Sequence, residues 1–167
     1  MVNRFAISKY GRLVAMTALM FSALAMGSVP AQAQQITAAN PGGIVHFLQA
    51  LGHKVEVSAD SSEDPMLTVK TDDHTYRVFF YGCTDGKNCD SIQFYAGWTE
   101  ADNNTMKAMN DWNKEHRYGR AYIDNDGDPC IEFDIETGAG GISPGLFADE
   151  VEVWGLLMDA FTSYVYN

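Results

Sequence analysis

Apolar residues recur at helical spacing in three stretches of the chain and alternate with polar ones in six others. The first helical stretch opens at Asn40-Pro41, where Asn can cap the free amides and Pro has none to lose, and it carries Ile44, Phe47, Leu48 and Leu51 on one stripe before Gly52. The second spans Asp102 to His116, with Met106, Met109, Trp112 and Asn113 along one side. The third starts at Ser143-Pro144 and aligns Phe147, Val151, Trp154, Met158 and Phe161. Strand patterns occupy Lys54–Ser58, Met66–Thr71, Thr75–Tyr81, Ser91–Trp98, Arg120–Asp124 and Cys130–Ile135. The last two flank an Asp-Gly turn, and Gly138 to Gly141 forms a flexible joint before the final helix. This order predicts one α+β domain, with N-terminal, middle and C-terminal helices packed on an antiparallel sheet.

The register of one hairpin is legible as well. Cys83 and Cys89 flank a turn-rich tip, Thr84-Asp85-Gly86-Lys87-Asn88. Pairing Cys83 with Cys89 sets Phe80 opposite Ile92, Val78 opposite Phe94 and Tyr76 opposite Ala96, all apolar and all on one face. A slip of one residue would break that agreement, so hydrophobic pattern and cysteine spacing select the same register and predict a Cys83–Cys89 bridge. A redox pair would favour Cys-x-x-Cys, and a zinc site needs more ligands than lie nearby. Cys130, the odd cysteine, is expected as a buried thiol, with intermolecular pairing as the alternative. On the other face of the hairpin stand Phe79, Tyr81 and Tyr95, together with Arg77 and Gln93. Three aromatics exceed what a solvated face needs, so either a helix covers them or a partner does.

The N-terminal pattern changes the picture of where this domain works. Arg4, Lys9 and Arg12 precede an apolar run from Leu13 to Met26, and Ala31-Gln32-Ala33 supplies small residues for cleavage. Residues 1–33 therefore read as a secretory signal peptide, 34–42 as a polar leader and 43–167 as a single domain. No Cys precedes position 83, so the expectation is a periplasmic or secreted protein without a stable membrane anchor after cleavage. The segment holds three of the 11 basic residues and none of the 22 acids, so its removal leaves eight against 22, a formal charge of −14. Such a chain repels nucleic acid and anionic membrane; the charge reads first as solubility, with a basic partner or a cation as the alternative. It also leaves all three cysteines where disulfides persist.

Candidate chemistry is sparse. Asp124-Asn125-Asp126-Gly127-Asp128 begins like a calcium loop, making Asp124, Asp126 and Asp128 the candidate metal ligands. An EF-hand, however, needs Gly at its sixth position and Glu at its twelfth, where Pro129 and Ile135 stand, and a hairpin turn accounts for the same residues. His46, His53, His74 and His116 lack metal-ligand spacing, and no Gly-x-Ser-x-Gly or phosphate loop occurs. No catalytic residue, cofactor or metal is expected. The cluster Asn110-Asp111-Trp112-Asn113 is the most unusual polar feature; Asn is a poor helix former, so Asn110 and Asn113 are expected to bond to a nearby loop or strand beside Trp112.

Val78-Phe79-Phe80-Tyr81-Gly82-Cys83, Cys89 with Ser91-Ile92-Gln93-Phe94, Asn110 to Asn113, Arg117-Tyr118-Gly119-Arg120-Ala121-Tyr122 and the Asp-Gly hairpin follow one another in a recognisable order. Together they resemble the exported branch of the YbjN-domain family, over about Gly43 to Tyr164. The resemblance implies a role described as bacterial sensory-transduction regulation and a fold similar to type III secretion chaperones. That fold implies helices against one antiparallel sheet, often as a homodimer offering grooves to an extended partner, with Lys54–Ser58 as an extra edge strand. It brings no catalytic residues. The reading that results is an exported, non-enzymatic, chaperone-like module for a protein or peptide. A cation-dependent enzyme or calcium binder using the Asp124 loop, and a structural envelope dimer, are its rivals.

Overall fold

A computed structural model describes residues 34–167; the expected signal peptide, residues 1–33, lies outside the described residues. Three helices and six strands follow in the expected order. They are α1 (Pro41–Ala50), β1 (Lys54–Ala59), β2 (Pro65–Lys70), β3 (Thr75–Tyr81), β4 (Ser91–Gly97), α2 (Met106–Glu115), β5 (Arg120–Ile123), β6 (Pro129–Glu136) and α3 (Pro144–Val165). Each helix starts on a side-chain cap: Asn40, Thr105 and Ser143 accept hydrogen bonds from the amides of Gly43, Ala108 and Leu146.

The strands form one open antiparallel sheet in the order β1-β2-β3-β4-β6-β5. The β3–β4 register pairs Val78 with Phe94 and Phe80 with Ile92, as the hydrophobic pattern requires. Cys83 and Cys89 are disulfide-bonded across the tip, their Cα atoms 3.8 Å apart. Asp85 and Gly86 both have positive φ, 50° and 69°, the pair of left-handed residues that a type I′ turn needs. Gly82 is also left-handed, and a Cβ there would meet the Asp90 carboxylate at 2.7 Å.

All three helices pack on the same face of the sheet. Phe94 of β4 contacts Phe147 and Trp154 of α3, with ring centroids 6.3 and 5.7 Å apart. Phe47 of α1 meets Phe147, and Trp112 of α2 meets Phe161. The whole expected stripe of α3 is buried. Three residues placed on the stripes of α1 and α2 are exposed: Leu51, which follows the last turn of α1, Met106, at 83%, and Asn113. Met106 is the first residue of α2, after the Thr105 cap, and the buried side of that turn is taken by Ala108 and Met109. The segment before α1 is more than a leader. Ile36 and Ala38 are buried, Ile36 exchanges backbone hydrogen bonds with Ile142, and the Ala38 amide donates to Thr137 Oγ1 at 3.0 Å. Among the described residues no helix is long and apolar enough to cross a membrane.

Candidate functional site

The face of the sheet turned away from the helices gathers most of the singled-out side chains. Alternation along β3 and β4 sends Phe79, Tyr81, Gln93 and Tyr95 to this side, and pairing with β6 brings Asp134 beside Gln93 and Glu132 beside Tyr95. The pairing of β5 with β6 then adds Arg120 and Tyr122. No helix of the described residues covers this face, so the alternative in which a helix shields the aromatics is not the one adopted.

Phe79 and Tyr95 meet edge to face with centroids 5.9 Å apart, a favoured geometry for aromatic rings, and both are half-buried. Tyr81 is 45% exposed beside them. Its hydroxyl donates to Gln93 Oε1 at 3.2 Å, and Gln93 Nε2 donates to Asp134 Oδ1 at 2.7 Å. Gln93 is 6% exposed and Glu132 8%, so the middle of this face is closed by its own side chains. Glu132 accepts from the Tyr122 hydroxyl at 2.5 Å and pairs with the Arg120 guanidinium. The result is a polar and aromatic lattice whose geometry is fixed by internal hydrogen bonds.

Electrostatics follow from burial. The Tyr95 phenol is pushed up to about 12 by desolvation, with Cys130 and Asp124 adding and Arg77 opposing. The Cys130 thiol is pushed up to about 11, again mainly by desolvation; its S–H points to the Tyr122 carbonyl at 3.4 Å. Burial and the bond to Glu132 raise the Tyr122 phenol well above its ordinary value. A thiolate nucleophile needs the opposite shift. Cys130 is free and buried, as expected of a core thiol.

Beyond Tyr95, the β5–β6 turn lines a groove of about 400 Å³ together with Arg77 and Thr68. Asp124 uses its Oδ1 locally, accepting from the amides of Asp126 and Asp128 at 3.0 and 2.9 Å. The Asp124 carboxylate thus holds the turn, and among the described residues no group of three His, Cys, Asp or Glu side chains is arranged to hold a metal ion. Of the Asn110 cluster, Asn113 bonds to the backbone of β5 and Trp112 is buried against α3, whereas Asn110 is exposed with no side-chain partner among the described residues.

The reading of single residues missed Glu132, Asp134, Arg120 and Tyr122. The signal was present in the parity of β6, where Glu132 and Asp134 interrupt Ile131, Phe133 and Ile135. Their place beside β4, however, depends on a long-range pairing.

No curated protein and no solved structure matches the chain. The family model for YbjN, described as "Putative bacterial sensory transduction regulator", matches residues 40–166. That span runs from the cap of α1 through the end of α3 and takes in every strand of the sheet, so the chain belongs to the YbjN family.

Proposed function

We propose that this protein is an exported, non-enzymatic binding module that holds a basic, extended polypeptide on the open face of its sheet. The observation that carries the reading is Tyr81, 45% exposed beside the Phe79–Tyr95 pair on a face without a helix over it. Aromatic side chains on a rigid lattice offer contact area at low entropic cost. Asp124, Asp126, Asp128 and Asp134 border them, which favours a cationic partner. Export is supported by the pattern of residues 1–33 and by the Cys83–Cys89 disulfide, a bond that persists in the periplasm or outside the cell.

Replacing Phe79 and Tyr81 with Ser and Tyr95 with Thr tests the reading by titration against a basic extended peptide. The variant should keep its circular dichroism and lose about tenfold or more in affinity; unchanged affinity overturns the assignment.

A second reading, a homodimer, draws on β1. It is an edge strand, and Val57 on it is 64% exposed. Light scattering on the purified protein, with Val57→Lys as the comparison, decides it: a dimer lost in the variant supports it and a monomer throughout rejects it.

A further inference from the structure

The sheet ends in two edges that the chain treats differently. At β5 the side chain of Asn113 bonds to both backbone polar groups of Ala121, so a helix residue stands where a further strand would pair. β1 has no such cap among the described residues. It pairs with β2 alone, every residue of Lys54–Ala59 except Val55 is exposed, and the strand has no proline and an unbroken register. Native edges are commonly blunted by proline, a bulge or a covering segment.

The groups that this edge presents follow from its pairing. The Asp60 amide donates to the Asp64 carbonyl at 2.9 Å. At the other hairpin the Thr71 amide donates to the His74 carbonyl at 2.9 Å, so Thr71 bonds toward β3 and Lys70 toward β1. Bonding direction alternates along an antiparallel strand. Lys54, Glu56 and Ser58 therefore bond to β2, while Val55, Val57 and Ala59 direct their amides and carbonyls outward. Val55 and Val57 stand opposite Val69 and Leu67, which are buried under the helices, so their side chains extend an apolar stripe on the helix side.

Charge leaves one group of the edge unanswered. Lys54 stands directly opposite Lys70, an unfavourable pairing of like charges. Lys70 is paired with Glu56 at 2.9 Å, and Lys54 has no ion-pair partner among the described residues.

A second copy of β1 can join antiparallel only where outward residues face outward residues, which centres a two-fold axis on a residue of the strand. An axis at Glu56 sets that carboxylate against its own copy, and an axis at Ser58 sets Glu56 against Asp60. An axis at Val55 leaves Ala59 without a strand residue opposite it. It also sets Val57 against His53, whose amide already donates to the Leu48 carbonyl at 3.1 Å. An axis at Val57 avoids all of this. Val57 then meets its own copy, Val55 meets Ala59, Glu56 meets Ser58 and Lys54 meets Asp60. Every outward amide and carbonyl of the strand is paired, and Lys54 gains a carboxylate at a non-hydrogen-bonded position, where side chains come closest.

We propose that β1 pairs with β1 of a second copy about an axis at Val57, joining two sheets into one. The proposal rests on the homodimer reading of this edge and fixes its geometry. The axis is perpendicular to the sheet, so the helices of both copies lie on one side and both aromatic faces on the other.

Light scattering tests the dimer, and oxidative crosslinking of single-cysteine variants tests the axis. Cys83 and Cys89 are bonded and Cys130 is buried, so the added cysteine is the one that reacts. Val57→Cys should give a disulfide-linked dimer. Val55→Cys, roughly 13 Å along the strand from its own copy, should not, and adding Ala59→Cys to it should restore the link. Leu156→Cys, 62% exposed against 64% for Val57, measures random collision. Asp60→Asn keeps an acceptor for the Ser62 and Asp64 amides and should weaken the dimer about fivefold through loss of the pair with Lys54. A monomer throughout in light scattering overturns the homodimer reading and this geometry with it, and leaves the edge to a strand of another protein. A dimer that links through Val55→Cys, or that links no better through Val57→Cys than through Leu156→Cys, keeps that reading and overturns the axis. Unchanged dimer affinity in Asp60→Asn overturns the Lys54–Asp60 pair.

Discussion

The side-chain amide of Asn113 closes on both backbone polar groups of Ala121. It donates to the Ala121 carbonyl at 2.9 Å and accepts from the Ala121 amide at 2.8 Å. Ala121 lies on β5, an edge of the sheet, so a side chain of α2 supplies the hydrogen bonds that a further strand would have made. Asn113→Ala should therefore destabilise the fold by about 1–2 kcal/mol, the loss of two net hydrogen bonds. Urea denaturation checks this, and Asn113→Asp, which keeps only the acceptor, should fall between variant and parent.

The Cys83–Cys89 bridge closes a short loop and should stabilise the fold by about 2 kcal/mol through its effect on the unfolded chain. Denaturation with and without reductant measures this directly. The Cys83→Ser, Cys89→Ser variant should match the reduced parent and no longer respond to reductant. In the oxidised parent, thiol titration should find one cysteine, Cys130, and only after unfolding.

Stability should fall at alkaline pH. Cys130 and Tyr95 are acids whose folded values lie above their ordinary ones, at about 11 against 9.0 and about 12 against 10.0. The unfolded chain then releases protons first, so the stability these groups contribute is complete below pH 9 and is lost as pH rises through 11 and 12. Urea midpoints should be level up to pH 9 and decline above it. In Cys130→Ala the decline should begin nearer pH 10.

Asp124 has a structural task in its turn, where one carboxylate oxygen accepts from two amides. Asp124→Ala should cost about 1–2 kcal/mol in buffer free of divalent ions. Calcium should leave the melting temperature of the parent unchanged. A calcium-dependent rise would restore the cation-binding reading of Asp124, Asp126 and Asp128.

What the sequence disclosed and what it withheld divide along physical lines. The β3–β4 register was legible because its two faces differ sharply in polarity and the cysteines permit one alignment. The α3 stripe was legible because five large apolar residues recur at one spacing. Met106 and Leu51 were misplaced at helix ends, where periodicity continues after contact with the core has stopped. Asn110 and Asn113 were both expected to bond to a nearby loop or strand; Asn113 does so, and that it caps a sheet edge was not legible. That depends on β6 inserting between β4 and β5, a long-range pairing with no local signature. The same pairing assembles Glu132, Asp134 and Arg120 around the aromatic face.

The central claim is that the Tyr81 side of the sheet is where a partner lies, and photo-crosslinking in the native cell tests it most directly. A benzoylphenylalanine at position 81 is compared with one at position 156, since Leu156 is 62% exposed on α3, across the sheet from Tyr81. Position 81 should give a discrete crosslinked species that weakens with added salt and disappears when Phe79 and Tyr95 are replaced, while position 156 gives none. Equal crosslinking at both positions, or none at 81, would contradict the account.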